Sequence, residues 1–150
     1  MTDKARYNVI KKVDLPHTRV ELRDDGIIQF FYGDYVHYNV DVSQEVENVV
    51  MTLTEGETYM SLRIAGKQSS IAIKVMQYLS RGRGCLLTLA DAFVIKSLLQ
   101  RILAKIYLSI AKPYVPTKFF ENVEDAETWL KSLDKKKLKE IHKLNLNRVY

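Results

Sequence analysis

Residues 92–120, AFVIKSLLQRILAKIYLSIAKPYVPTKFF, decide the fold. The stretch opens inside an apolar run that reads as a strand at about Ala90 to Ile95. From Ser97 to Lys112 the residues Leu99, Ile102, Leu103, Ile106, Tyr107 and Ile110 recur at helical spacing, the strongest such pattern in the chain. Pro113 ends that helix because its ring cannot continue the turn, and Pro116-Thr117-Lys118-Phe119-Phe120 reads as a further short strand. The apolar stripe is wide, as expected of a helix pressed against a sheet. A strand, a helix and a strand in so short a span indicate an α/β domain.

Working outward, the same alternation recurs. TRVELR, residues 18–23, puts Val20 and Leu22 on one side, and Asp25-Gly26 is a hairpin turn signal directly before IIQFFYG. The second strand of this antiparallel hairpin is expected to continue through Tyr35-Val36-His37-Tyr38 with a kink at Gly33-Asp34. Asp41 with Gln44 resembles a capping box opening a helix with Val42, Val46, Val49, Val50 and Leu53 on one face, ended by Gly56. TYMSLRIAG is a strand with Tyr59, Ser61 and Arg63 on one face and Met60, Leu62 and Ile64 on the other. Ser69 or Ser70 is expected to cap a second helix carrying Ala72, Val75, Met76 and Leu79, stopped by the RGRG at residues 81–84. Asn122 caps a last helix with Val123, Ala126, Leu130 and Leu133 inward. Residues 1–14 read as an N-terminal extension, irregular or an edge, before a domain at 15–134 and a basic C-terminal tail at 135–150.

With 150 residues, 47% hydrophobic and 27% charged, the composition is that of one globular domain. The single cysteine, Cys85, has no internal partner for a disulfide, which fits a reducing compartment. No apolar run reaches the length of a membrane span, and the opening MTDKARYNVIKK lacks a leader's apolar stretch, so a cytoplasmic protein is expected. The net charge of +5 sits in the tail: Lys135, Lys136, Lys137, Lys139, Lys143 and Arg148 stand against Glu140, and residues 1–134 sum to zero. The tail, with Leu133, Ile141 and Leu144 loosely on one side, is therefore expected to extend the last helix and to offer an anion or partner contact through Lys135, Lys136 and Lys137.

Candidate chemistry is sparse. Arg81 and Arg83, interleaved with Gly82 and Gly84, are candidate anion or partner contacts, but they follow a helix instead of preceding one, which is C-cap and turn chemistry as readily as a phosphate loop. Those arginines also precede Cys85, yet no histidine lies near enough in sequence to act as its base, and a packed core thiol is the plainer reading. His17, His37 and His142 share no metal-ligand spacing. The aromatic cluster Phe30, Phe31, Tyr32, Tyr35 and Tyr38 lacks the interleaved cations a nucleic-acid platform needs, since residues 26–44 hold no Lys or Arg. We expect no catalytic residues, no metal and no cofactor, and hence no enzyme.

Three stretches carry a resemblance: LPHTRVELRDDGIIQF (15–30), the quoted run 92–120 and VEDAETWLKSL (123–133). Together they resemble the bacterial family of small STAS-like proteins, fold relatives of the anti-sigma-factor antagonists and of CRAL-TRIO lipid-transfer domains, over residues 15–133. The most specific piece is KPYVPTKFF with the Trp-Leu helix that follows. The resemblance implies a mixed β-sheet with an N-terminal antiparallel hairpin, about four helices packed on it and a non-catalytic role. In anti-sigma-factor antagonists a serine at the start of the second helix is phosphorylated, and Ser69 and Ser70 fall at that place as candidate phospho-acceptors, with Gln68 where the relatives have an acidic residue. The expectation is a regulatory or protein-interaction module with a protein partner, with homodimerisation through an edge strand or the apolar helix face as an option. The competing expectation is a binder of a small apolar ligand or lipid, held between the sheet and the helix Ser97–Lys112, with the basic tail touching membrane. A partner module needs an exposed surface around the second helix and no cavity, whereas a ligand carrier needs an internal pocket of roughly a few hundred Å³.

Overall fold

The computed structural model of the chain describes residues 7–81 and 86–149. Strands β1 (Val9–Asp14), β2 (Thr18–Arg23) and β3 (Ile27–Tyr32) form an antiparallel meander. The β2–β3 turn uses Gly26 at φ 81°, a conformation that costs other residues steric strain. After a two-residue strand β4 (His37–Tyr38) and helix α1 (Val40–Thr54), the chain enters β5 (Tyr59–Ile64), which lies parallel to β3. A second two-residue strand, β6 (Ser70–Ile71), pairs with β4 and leads into α2 (Ile73–Arg81). Strand β7 (Thr88–Val94) adds parallel to β5. Helix α3 (Leu98–Ile106) continues into a π-helical turn at Tyr107–Ala111, and β8 (Thr117–Phe120) completes a six-stranded sheet ordered β1-β2-β3-β5-β7-β8. Helices α4 (Val123–Ser132) and α5 (Lys135–Val149) follow. The architecture is thus a mixed α/β sheet with an N-terminal antiparallel hairpin and helices on both faces.

The two-residue period of the strands separates the core into two halves. On one face Ile27, Met60, Leu62, Ala92 and Val94 meet Ala126 and Leu130 of α4 and Leu138 of α5. On the other, Ile28, Phe30 and Tyr59 meet Val46 and Val50 of α1, and farther along Met76 of α2 packs with Tyr107 and Phe119. Because both faces are covered, every residue of β5 and β7 is buried.

Several local expectations are corrected. Helix α1 is capped by Asn39, whose Oδ1 accepts from the Val42 N–H at 3.0 Å, so Asp41 sits in the first turn where its charge suits the macrodipole. Strand β3 stops at Tyr32, and His37-Tyr38 pairs with Ser70-Ile71 instead of prolonging it. Neither Ser69 nor Ser70 caps α2, whose hydrogen-bond ladder starts at the Ala72 carbonyl, accepting from Met76 N at 3.2 Å. Of the expected stripe, helix α3 buries Tyr107 and partly buries Leu103 and Ile106, but it leaves Leu99, Ile102 and Ile110 in solvent. It buries Gln100, Ala104, Tyr107 and Ala111, because the two alanines let its backbone approach closely and Tyr107 enters a ring cluster with Phe93 and Phe119 at 5.7 and 5.9 Å. The basic tail is a separate helix capped by Asp134, whose Oδ1 accepts from Lys136 N at 3.0 Å. It turns Leu138 and Asn145 inward, while Ile141 and Leu144 are exposed.

Candidate functional site

The parallel register sets Ser61 beside Asp91 and Arg63 beside Phe93, all on the face covered by α1, α2 and α3. Arg63 reaches diagonally to Asp91, its Nε donating to Oδ1 at 2.9 Å, and its Nη1 donates to the Tyr32 hydroxyl at 2.9 Å. The guanidinium lies over the Phe30 ring, 4.6 Å from its centroid. Both charged groups are buried, Arg63 4% exposed and Asp91 0%. Burial alone pulls the Arg63 pKa down, but the Asp91 carboxylate and the Tyr32 and Tyr59 hydroxyls outweigh it and hold the group well above its ordinary value, so the guanidinium stays charged. Burial also raises the Tyr32 and Tyr59 phenols above theirs, which keeps both neutral.

Above this pair lies a cavity of about 70 Å³, bounded by Arg63, Phe93 and Phe119 of the sheet, Met76 and Leu79 of α2, and Gln100, Leu103 and Tyr107 of α3, with Ser69 and Ser70 at its edge. This is where an apolar ligand was expected, between sheet and α3. The volume holds a few waters' worth of space, well below the several hundred Å³ of a typical ligand site.

The loop from Gly66 to Ser70 is fastened to α3. Ser97 caps that helix, its Oγ accepting from Gln100 N at 3.2 Å. The Gln100 side chain then turns inward: its Oε1 accepts from Lys96 N at 2.7 Å, and its Nε2 donates to the carbonyls of Gly66 at 3.0 Å and Ser69 at 3.2 Å. The Ser69 hydroxyl donates to the same Gly66 carbonyl at 2.9 Å. Gly66 itself lies against the Gly33 backbone, where a β-carbon would fall 2.2 Å from the Gly33 oxygen. Ser70 Oγ is 2.6 Å from Nδ1 of the exposed His37. Both serines are half-buried, so a modifying group has access to them only at the loop surface.

What α3 leaves outward is an aliphatic stripe. Leu98, Leu99 and Ile110 are 73%, 62% and 60% exposed, Ile102 is also exposed, and Ile73 at the start of α2 adds a 61% exposed neighbour. A shallow groove between α2 and the π-helical turn is lined by Ile73, Gln77, Ile106 and Ile110. The zero charge summed over residues 1–134 conceals a strong segregation around this stripe. Residues 58–120 hold ten Lys and Arg against one carboxylate, the buried Asp91, whereas residues 1–57 hold six against eleven. Lys67, Lys74, Lys96, Arg101, Lys105, Lys112 and Lys118 are all exposed. The sum of zero over residues 1–134 therefore combines a basic segment, 58–120, with acidic segments before and after it.

The remaining sequence candidates lie apart from this face. Arg81 closes α2, while Arg83 and Cys85 fall outside the described residues. Lys135, Lys136 and Lys137 are exposed at the N-terminus of α5, which packs on the opposite face of the sheet, so they do not meet Ser69 or Ser70. His17 pairs with Glu45 at 3.2 Å and His142 bonds the Leu86 carbonyl. Among the described residues no group of His, Cys, Asp and Glu is placed to hold a metal ion, and no helix is long and apolar enough to cross a membrane. The sequence reading missed Arg63, Asp91 and Gln100. The available signal was one charge in each of two otherwise apolar strands, YMSLRI and TLADAFV, which demands a partner once both are buried.

The family model described as a domain of unknown function, DUF7793, matches residues 20–134. The fold is similar to the crystal structure of an uncharacterized protein of the DUF3478 family with a SpoIIAA-like fold from Shewanella loihica PV-4, with 11% identity and a TM-score of 0.46 over 87% of this chain and 99% of that one. No curated protein matches the chain.

Proposed function

The chain belongs to the DUF7793 family, whose function is unknown, and from its geometry we propose that it is a non-catalytic regulatory module that binds a protein partner through the α2–α3 face. The observation that carries this reading is the stripe Ile73, Leu98, Leu99, Ile102 and Ile110, aliphatic side chains held in water on a helix whose other side is fully engaged with the sheet. Exposed leucine and isoleucine on one contiguous face mark an interaction surface, because leaving them in water forfeits the burial each would gain. Ser69 and Ser70 are the proposed points of control. Phosphorylation of Ser69 removes the hydroxyl's bond to Gly66 and places a dianion beside Gln100, loosening the clip that seats the first turn of α3.

A second reading, a carrier of a small apolar ligand, is favoured by the placement of the cavity and opposed by its volume of about 70 Å³. The two are separated by comparing Ile102→Asp with Met51→Asp, an exposed apolar position on α1, in affinity purification from the cells that make the protein. The proposal expects co-purifying protein to be lost with Ile102→Asp and kept with Met51→Asp. Equal retention in both variants refutes it.

A further inference from the structure

We infer that the occupant of the α2–α3 face is an acidic amphipathic helix of a protein partner, an inference that rests on the reading of that face as the working surface. The positions Leu99, Ile102, Ile106 and Ile110 follow one another along one side of α3 and its π-helical extension for roughly 17 Å, about three helical turns. Beside them Ile73 and Gln77 of α2 meet Ile106 and Ile110 across a shallow dimple, so the apolar surface continues from α3 onto α2.

The charge around the stripe selects the partner's chemistry. Lys74, Lys96, Lys105 and Lys112 are exposed and make no ion pair among the described residues, whereas Arg101 is paired with Glu121. An occupant must therefore bring its own carboxylates beside its apolar residues. A second copy of this chain fits poorly. Two such faces meeting would oppose like charges, and the acidic helix α1, with Asp41, Glu45 and Glu55 exposed, offers only Met51 as an exposed large hydrophobic residue.

The test is a selection from a displayed library of helical peptides, with an apolar stripe fixed and the other positions random, run against the intact chain. The inference expects selected peptides to be enriched in Asp and Glu. Their binding should fall roughly 30-fold with Ile102→Asp, as for a central anchor, and about tenfold with Lys105→Glu and Lys112→Glu together. All three positions are exposed, so the variants should keep the parent's circular dichroism and melting. Peptides that bind Ile102→Asp undiminished use another surface, and both the inference and the reading of the face then fail. Peptides lost with Ile102→Asp but without acidic enrichment leave the face standing and overturn the acidic helix. Vesicles of phosphatidylcholine doped with phosphatidylserine that capture the parent and not Ile102→Asp, with no peptide selected, make a bilayer the occupant and overturn the inference. Concentration-dependent self-association abolished by Ile102→Asp assigns the face to a second copy and overturns it likewise.

Discussion

The Gln100 side-chain amide donates to the Ser69 backbone carbonyl at 3.2 Å, tying the first turn of α3 to the segment in which Ser69 ends the loop and Ser70 opens β6, the two candidate phospho-acceptors. The same amide group holds Gly66 and Lys96, so one buried side chain joins the end of β5 to the start of α3. Replacing it by leucine keeps the volume and takes the partner from the Lys96 N–H and the Ser69 carbonyl, while the Gly66 carbonyl keeps the Ser69 hydroxyl. Gln100→Leu should cost about 1–3 kcal/mol, and amide exchange should accelerate at Ser69 and Ser70 ahead of the strands. A uniform acceleration across the sheet would show that the contact is not a local clip.

The Arg63–Asp91 pair predicts a non-additive cycle. Removing either partner leaves a buried charge uncompensated, so Arg63→Met and Asp91→Leu should each lose about 3–5 kcal/mol in urea unfolding. The double variant, with neither charge to desolvate, should recover most of that loss. Additive losses would mean that the two groups do not depend on one another.

At alkaline pH the buried phenols set the limit. Burial raises the Tyr32 and Tyr59 pKa values in the folded state, so the fold holds these protons more tightly than the unfolded chain does. The associated stability is fully present below the unfolded phenol pKa of about 10 and is lost as pH rises through the folded values. Tyr59→Phe removes one such group, and its stability should decline less steeply above that pH than the parent's. An identical slope would show that Tyr59 does not contribute.

Gly66→Ala should destabilise by about 1–3 kcal/mol, because its β-carbon would collide with the Gly33 backbone, which cannot rotate away. Since the Gly66 carbonyl also receives Ser69 and Gln100, the same variant should raise exchange at Ser69. Gly56→Ala meets no neighbouring atom and should cost only the strain of its left-handed φ of 81°.

Local signals carried most of the architecture. The Asp25-Gly26 turn, the proline-bounded strand at Thr117–Phe120 and the Asn122 cap are each written within a few residues, and each stands where its residues indicate. Helix α3 was legible as a helix but not in its orientation. Of the stripe its large apolar side chains define, the fold buries Tyr107 and adds Gln100, Ala104 and Ala111 from beside it, because closeness to the sheet and a ring cluster decide the matter through tertiary contact. The role of Leu138 was hidden because a single leucine among lysines gives no periodicity, although it is buried with Ala126 and Leu130. Arg63 and Asp91 lie 28 residues apart, and only the register of β5 on β7 brings them together. The proposed interaction face was half legible: its residues belong to the strongest helical pattern, and the lysines around it were offset by acidic residues elsewhere in the sum.

The most direct test of the interaction face is site-specific photo-cross-linking in the cells that make the protein, with the reactive side chain at position 102 on α3 or at position 48, an exposed site on α1. A discrete protein adduct from position 102, absent from position 48 and lost when Leu99 is changed to Asp, is the predicted result. Indistinguishable adducts from the two positions, or none from 102, would contradict the account.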